Sequence, residues 1–300
     1  MEKILNQNNM ISITIDVEGD KLHSDFEPQP IIDSLNYCED IIKKISEVFS
    51  LDVPVTWFIR CDDTVSKKLG KPESFLEKIN KFISRRINKG DVLGLHLHFE
   101  VYENNNWIKE SRENYQLDIL NRAANGWKRF FGILPSYTRM GEAFMNNSIA
   151  KALDELGVYL DSSSLPGRKR VDTDFNFDWK ITPRYPYKPS KNDYRIPNKK
   201  NSRNFIELPY TMIGVRTPYD EKKIERYFNL AYKKEYLFES INKLPKKDLK
   251  IVSNIHTHEI VVGSKKHILF PENHIDVIEN LINLKKRISK FNFVSLKDLL

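Results

Sequence analysis

The stretch Gly94-Leu95-His96-Leu97-His98-Phe99-Glu100 is the most informative part of this 300-residue chain. Its apolar residues alternate with glycine, histidine and glutamate, a pattern typical of a β-strand. Side chains two residues apart on a strand point to the same face, so His96 and His98 are predicted to lie side by side. Imidazoles arranged in this way are good ligands for a divalent metal ion.

Two further strand-like segments carry pairs of polar groups at their ends. One, near the N-terminus, ends in Asp16 and Glu18, and the other ends with His256 and His258. A single histidine on an apolar face is more often a core residue, but four of the 7 histidines of this chain fall into two His-x-His pairs. The pattern therefore predicts one metal-dependent active site at the ends of three strands.

Length and composition indicate an ordinary folded enzyme. Hydrophobic residues make up 40% and charged residues 30% of the chain, which argues against long disordered regions. We expect a single catalytic domain over residues 1–300. The net charge of +7 comes largely from scattered lysine pairs, which argues against a nucleic-acid partner and leaves an anionic substrate open.

The N-terminal segment, the apolar runs and the cysteines bear on the cellular compartment of the protein. The segment from Met1 to Asn9 lacks the apolar core of a signal peptide, and no apolar run reaches the roughly 18 residues of a membrane span. Cys38 and Cys61 are too few for a disulfide framework. We expect a cytoplasmic protein without a transmembrane segment.

Short strands alternate with amphipathic helices, which predicts an α/β fold. A long irregular loop is expected at about 162–206, where proline, lysine, asparagine, tyrosine and arginine are frequent. Predicted helices cover residues 31–49, 72–89, 114–131, 147–156, 221–230, 234–244 and 274–288.

The residue types suit a hydrolytic metal site. A carboxylate with two imidazoles makes zinc the default ion, although iron, cobalt and manganese also fit. Asp16 and Glu18 would supply a general base and a ligand, and His256 a general acid. The other histidines, His23, His267 and His274, have no evident partners and are predicted to be surface residues.

The order of these motifs resembles the polysaccharide deacetylase family, that is, the NodB homology domain or carbohydrate esterase family 4. Each motif alone is weak, but six of them follow one another in the order of the family. They comprise an Asp-x-Glu form of the first motif in Ile13–Glu18, the strand Pro54–Phe58, the first histidine motif Gly90–His96, the arginine motif Tyr137–Gly141, the Asp-Ser-Ser segment Leu160–Gly167 and the final histidine motif His256–Glu259.

The resemblance implies a distorted (β/α)7 barrel with its site at the C-terminal ends of the strands. It implies that Asp16 is the catalytic base, that Glu18 and His96 bind the metal, that Arg139 orients the base, and that His256 is the general acid. It further implies hydrolysis of an N-acyl group, in the first place acetyl, from an amino sugar of a glycan or of a nucleotide- or lipid-linked precursor.

Three departures from the family pattern concern the site. The second histidine, His98, follows the first by two residues instead of four, and Glu100 stands at the fourth position. We favour His98 as the third ligand and keep Glu100 as the alternative. Gly141 replaces the proline of the arginine motif, and the extra His258 is expected either to bind substrate or to pack.

Two other functions compete with this interpretation. Some metal-dependent phosphoesterases use a His-x-His pair, but there the pair lies on the first strand, which here carries Asp16 and Glu18. A catalytically inactive carbohydrate-binding relative would be expected to lack the base or the acid, whereas Asp16 and His256 are both present. Asp161 is expected either to pair with Arg139 or to cap the turn formed by the serines that follow it.

Overall fold

The computed structural model describes residues 9–19, 26–172, 176–260, 268–271 and 275–300. The predicted surface positions of His23, His267 and His274 lie outside this part of the chain. Within it, no helix combines the length and the apolar character that a membrane crossing requires.

Strands and helices alternate along the chain, as the α/β prediction requires. The strands are β1 (Met10–Val17), β2 (Val55–Arg60), β3 (Val92–Leu97), β4 (Glu100–Glu103), β5 (Asn106–Lys109), β6 (Tyr137–Met140), β7 (Leu160–Asp161), β8 (Lys169–Val171), β9 (Asn176–Asp178), β10 (Ile206–Glu207), β11 (Met212–Val215), β12 (Ile224–Tyr227), β13 (Lys250–His256) and β14 (Asn292–Phe293). The helices are α1 (Pro28–Phe49), α2 (Asp63–Leu69), α3 (Ser74–Lys78), α4 (Asn80–Asn88), α5 (Glu113–Phe131), α6 (Asn147–Glu155), α7 (Lys234–Lys243) and α8 (Ile275–Ile288).

One large sheet carries the polar motifs. Its strand order is β10-β7-β6-β3-β2-β1-β13, and β14 also pairs with β1. The ladders β3/β6, β6/β7, β7/β10 and β1/β14 are parallel. The central strands are buried on both faces, so their alternating polar side chains lie inside the protein.

Two sequence predictions of local structure are corrected by strand pairing. The helix predicted at 221–230 contains β12, which pairs antiparallel with β11. Ladder bonds to the preceding strand outweigh the local helical pattern there. The irregular loop predicted at 162–206 contains the β8/β9 ladder. A third prediction, the helix at 72–89, is corrected without strand pairing, since the helix is divided at Ile79 into α3 and α4.

The chain forms two compact units. The first comprises Met1–Ile15, Asp33–Thr56 and Thr211–Leu300, and the second comprises Asp16–Ile32 and Trp57–Tyr210. The single catalytic domain expected from the sequence stays a prediction.

In the first unit, a buried amide holds the start of β1. Asn9 is fully buried, and its side-chain nitrogen donates to the backbone oxygens of Ile288, at 3.3 Å, and Lys290, at 2.9 Å. Its oxygen accepts from the backbone nitrogen of Leu249 at 3.0 Å. The Asn9 side chain therefore links β1 to the residues around the end of α8 and the start of β13. Both of its polar atoms form hydrogen bonds, as buried polar atoms require.

In the second unit, a buried carboxylate links β2 to α4 and β3. Trp57 has no exposed surface, and its indole nitrogen donates to Asp91 Oδ2 at 2.6 Å. Arg86 Nε donates to the same oxygen at 2.5 Å. The ring of Phe82 lies edge-on to that of Trp57, with centroids 4.9 Å apart. Asp91 thus satisfies two buried donors at once.

We predict that Asp91→Ala destabilises the protein by about 3–5 kcal/mol, because it removes the carboxylate that binds the buried Arg86 guanidinium and the Trp57 indole. Urea unfolding followed by tryptophan fluorescence measures the change in the free energy of unfolding. The exposed Asp52→Ala is the matched control, expected to stay within about 0.5 kcal/mol of wild type. Equal midpoints for the two variants would contradict this role of Asp91.

Candidate metal centre and active site

Three potential metal ligands converge in the second unit. Glu18 follows β1, His96 lies in β3 and His98 follows β3. Glu18 Oε2 lies 3.3 Å from His96 Nε2 and 2.8 Å from His98 Nε2, and the two Nε2 atoms are 3.2 Å apart. The three residues are only 2–4% exposed. The sequence prediction that these three residues lie together is met by the geometry.

The tautomer of His96 is set by a backbone oxygen. His96 Nδ1 lies 2.8 Å from the carbonyl oxygen of Arg139, which can only accept a hydrogen bond. Nδ1 therefore carries the proton, and the lone pair of Nε2 faces Glu18 and His98. Arg139 stands opposite His96 in the β3/β6 ladder, so strand register produces this contact.

The donor set fits a divalent ion. In a tetrahedral zinc site with bonds of about 2.0–2.1 Å, neighbouring ligand atoms lie roughly 3.3 Å apart. The three separations of 2.8–3.3 Å are close to that value. Burial, and then the charge of Arg60, lower the pKa of His98, which favours the neutral imidazole that a metal requires. One carboxylate and two neutral imidazoles form the expected ligand set.

Glu100, the alternative third ligand, lies on the other side of the His98 ring. Its Oε2 is 4.0 Å from His98 Nδ1, and its Oε1 accepts from Lys109 Nζ at 2.8 Å. Lys109 also forms an ion pair with Glu142. Burial raises the pKa of Glu100, but the cationic groups around it, Lys109 and Arg60 among them, outweigh burial and lower that pKa to about 2. Glu100 groups with His98 and Glu142 and not with Glu18 and His96, and His98 as the third ligand stays a prediction.

Asp62 positions His98 and was not singled out from the sequence. Its Oδ2 accepts from the backbone nitrogen of His98 at 3.0 Å, and its Oδ1 accepts from the backbone nitrogens of Thr64 and Val65. Asp62 is thus the N-cap of α2, a role that its place before a helix could have indicated. Its reach to His98 depends on the neighbouring strand and has no local signal.

Arg60 adds a buried positive charge beside the candidate ligands. Its Nε donates to Asp62 Oδ2 at 2.6 Å, and its Nη1 lies 3.5 Å from Glu18 Oε2. Burial lowers the pKa of Arg60, but Asp62 and Glu18 outweigh it and leave that pKa raised. Arg60 therefore remains a cation that fixes both carboxylates, and its strand-end position gave no sign of this in the sequence.

The predicted base and its orienting arginine form a buried ion pair. Arg139 Nη1 donates to Asp16 Oδ1 at 2.8 Å, and Arg139 is completely buried. Its guanidinium lies between the rings of Phe58, at 4.1 Å, and Tyr210, at 4.6 Å. The geometry thus brings Asp16 and Arg139 together as the sequence predicted, within the unit that holds the candidate ligands.

His256, the predicted acid, belongs to the first unit and ends β13. Its Nδ1 lies 2.8 Å from Glu259 Oε1, and its backbone nitrogen donates to Glu259 Oε2 at 2.8 Å. Asn229 also donates to Glu259, at 2.7 Å. A carboxylate at Nδ1 places the proton of a neutral ring there and leaves Nε2 to exchange protons. Sequence reasoning missed Glu259, although it lies three residues after His256.

The extra histidine, His258, lies near this pair. Its ring centroid is 5.5 Å from that of His256, and the two planes are inclined by 30°. Both expectations for this residue, substrate binding and packing, stay predictions.

The two departures around His98 share a steric cause. Gly141 begins the short 3-10 turn after β6, and a Cβ atom there would lie 2.1 Å from His98 Cδ2 and 2.4 Å from His98 Nε2. The imidazole occupies the volume that any other residue at position 141 would need. A histidine two residues after His96 can therefore join Glu18 only because position 141 is a glycine.

We predict that Gly141→Ala weakens metal binding by about 10–100-fold, because the new methyl group displaces the His98 ring. Overpacking costs about 1–3 kcal/mol of stability, so the fold survives. Metal titration and thermal unfolding measure the two effects. Gly214→Ala is the control, since its nearest new contact is an ordinary 3.8 Å. Unchanged metal affinity in Gly141→Ala would refute the steric coupling.

Comparisons with known proteins identify the fold. No family model matches the sequence, and no curated protein matches it. A solved structure of a predicted polysaccharide deacetylase from Mycobacterium smegmatis is 14% identical, covers 98% of this chain and 89% of its own, and superposes with a TM-score of 0.52. Puue allantoinase is 13% identical over 98% of this chain and 89% of its own, with a TM-score of 0.53.

At these identities the likeness establishes the fold alone. The distorted (β/α)7 barrel that the motif order predicted is confirmed. This chain therefore has the fold seen in that polysaccharide deacetylase structure and in Puue allantoinase.

Proposed function

We propose that this protein is a metal-dependent hydrolase that removes an N-acyl group, in the first place acetyl, from an amino sugar. The observation that carries the proposal is the convergence of Glu18, His96 and His98 in the unit that also holds the buried Asp16–Arg139 pair. A ligand triangle, a base and an orienting cation are the parts that hydrolysis of an amide requires.

Glu18, His96 and His98 would hold the metal ion. When bound, a divalent ion supplies Lewis-acid polarisation of the acyl carbonyl. Zinc suits one carboxylate with two imidazoles best, and iron, cobalt or manganese can take the same donors.

Asp16 is proposed as the general base. Arg139 donates to Oδ1 and so fixes the Asp16 carboxylate, which would accept a proton from the attacking water. The oxygen of that water forms the new bond to the acyl carbon. Arg139 cannot take the proton back, because a guanidinium stays protonated throughout the accessible pH range.

His256 is proposed as the general acid, an assignment that rests on the sequence motif. The Nε2 proton would pass to the amine nitrogen as the carbon–nitrogen bond breaks, which gives a carboxylate and a free amine as products. Glu259 holds Nδ1 and stabilises the imidazolium form that donates.

The substrate is proposed to be a nucleotide- or lipid-linked precursor of a glycan. Support comes from the excess of 48 Lys and Arg residues over 41 Asp and Glu residues, which favours an anionic partner such as a diphosphate. Release of acetate or formate from a panel of acylated nucleotide-linked amino sugars tests this. Activity on phosphate esters alone would instead support the phosphoesterase, and inactivity on both would support the inactive relative.

The ligand assignment predicts that His96→Ala and His98→Ala each lose the metal while the fold persists. Both changes remove a buried donor from a three-residue set. Elemental analysis and thermal unfolding of the purified variants measure metal content and fold. Glu100→Ala is the matched control and should retain the ion. If Glu100→Ala loses the metal and His98→Ala keeps it, Glu100 is the third ligand.

The base assignment predicts that Asp16→Asn keeps the metal but lowers kcat by about 10²–10⁴-fold, because an amide cannot accept the proton. Steady-state deacylation and metal content are measured on the same preparation. Asp52→Asn, an exposed aspartate, is the control and should retain wild-type rates. Near wild-type deacylation by Asp16→Asn would disprove the base assignment.

A further inference from the structure

A pair of buried carboxyl groups lies at the ends of two neighbouring parallel strands. Asp161 ends β7 and Glu207 ends β10, and the two residues stand in register in the β7/β10 ladder. Their exposed fractions are 0% and 1%. The two side chains lie close enough to form a hydrogen bond if one of them carries a proton. Neither residue has a role in the chemistry proposed above.

The hydrogen bonds around the pair leave one carboxylate oxygen without a donor. Asp161 Oδ1 accepts from the Thr138 hydroxyl at 2.6 Å, and Glu207 Oε1 accepts from the backbone nitrogens of Ser163 and Ser164 at 3.2 and 2.9 Å. Asp161 Oδ2 is buried, and no donor within the described part of the chain reaches it when both groups are ionised. A proton on the facing carboxyl group supplies that donor, whereas two buried anions in contact would repel each other.

We propose that Glu207 is a neutral carboxylic acid that donates its proton to Asp161 Oδ2, and that it acts as a positioning residue for Arg139. The positioning role rests on the proposed function, since it concerns the arginine that orients Asp16. The proposal that Glu207 is protonated does not depend on that function.

The electrostatics of the pair agree with this placement of the proton. Burial, and then the charge of Asp161, raise the pKa of Glu207 well above its usual range. Burial also raises the pKa of Asp161, but the contacts with Glu207, Thr138 and Ser163 favour its ionised form. Among the described residues, the other ionisable groups that face the pair are Arg139 and Tyr210, beside Asp161, and Tyr187, beside Glu207. Asp161 is therefore the anion of the pair.

Glu207 reaches Arg139 through the turn formed by three serines. While Glu207 binds the nitrogens of Ser163 and Ser164, the preceding Ser162 accepts from Arg139. Arg139 Nε donates to the Ser162 carbonyl oxygen at 2.8 Å, and Nη2 to its hydroxyl at 3.1 Å. Glu207 therefore caps the turn, one of the two roles that the sequence left open for Asp161.

The position of the proton gives stability a pH dependence of known sign. The pKa of Glu207 is higher in the folded state than in the unfolded state. Its contribution to the free energy of unfolding is therefore complete when the pH is below the pKa of the unfolded state, and it is lost as the pH rises through the pKa of the folded state. Glu207→Gln cannot lose a proton, so its melting temperature should fall less than that of wild type in alkaline buffer. Glu155→Gln, at an exposed position, should follow wild type.

Infrared spectroscopy of the holoenzyme at neutral pH tests the protonation state directly. We expect the carbonyl band of a protonated carboxylic acid in wild type and in Glu155→Gln, and its loss in Glu207→Gln. Wild-type protein without the band would overturn the proposal. Persistence of the band in Glu207→Gln with its loss in Asp161→Asn would also overturn it, by placing the proton on Asp161.

Kinetics of the same variants test the positioning role. Glutamine still accepts from the serine turn and donates to Asp161, so Glu207→Gln should keep kcat, whereas Glu207→Ala should lower kcat by about 10–100-fold with metal content unchanged. An equal loss in both variants would overturn the positioning role. Failure of wild type to release acid from any acylated amino sugar, with the infrared band present, would refute the proposed function and leave the protonated pair standing.

Discussion

The buried guanidinium of Arg139 is the interaction on which the rest of the candidate site depends. Removing this charge from water is costly unless every donor is satisfied, and here Asp16 and Ser162 accept from it while two aromatic rings enclose it. The backbone of the same residue selects the tautomer of His96. One residue of β6 thus fixes the orientation of the proposed base and the direction of a proposed ligand's lone pair.

Charges around the ligand triangle form a similarly closed network. Arg60 contacts Glu18 and Asp62, Asp62 binds the backbone of His98, and Lys109 binds Glu100. Each buried carboxylate has a cation or backbone donors as partners, which is how anions are tolerated at low exposure. The proton proposed for Glu207 meets the same requirement where two buried carboxyl groups face each other.

Steric constraints explain why an unusual histidine spacing still yields a compact ligand set. The strand β3 ends at Leu97, so His98 is no longer held by the strand that positions His96. The bond from Asp62 places its backbone, and the missing side chain of Gly141 leaves room for its ring. The shortened histidine spacing therefore depends on the glycine in the arginine motif, because the His98 ring packs where a side chain at position 141 would lie.

Periodicity along the chain was enough to predict the α/β class, the polar ends of β1, β3 and β13, and the grouping of Glu18 with His96. Alternation has a period of two, so it states which side chains share a face before any partner strand is known. Asp62, Glu207 and Gly141 could not be found this way, because their roles arise from segments that are distant in sequence. The helix predicted at 221–230 was wrong because pairing with the preceding strand β11, which the helical pattern does not report, decides the conformation of that segment. The local pattern of apolar and polar residues indicates which face of a strand a side chain lies on. The register between strands and the packing of loops decide which residues that side chain contacts.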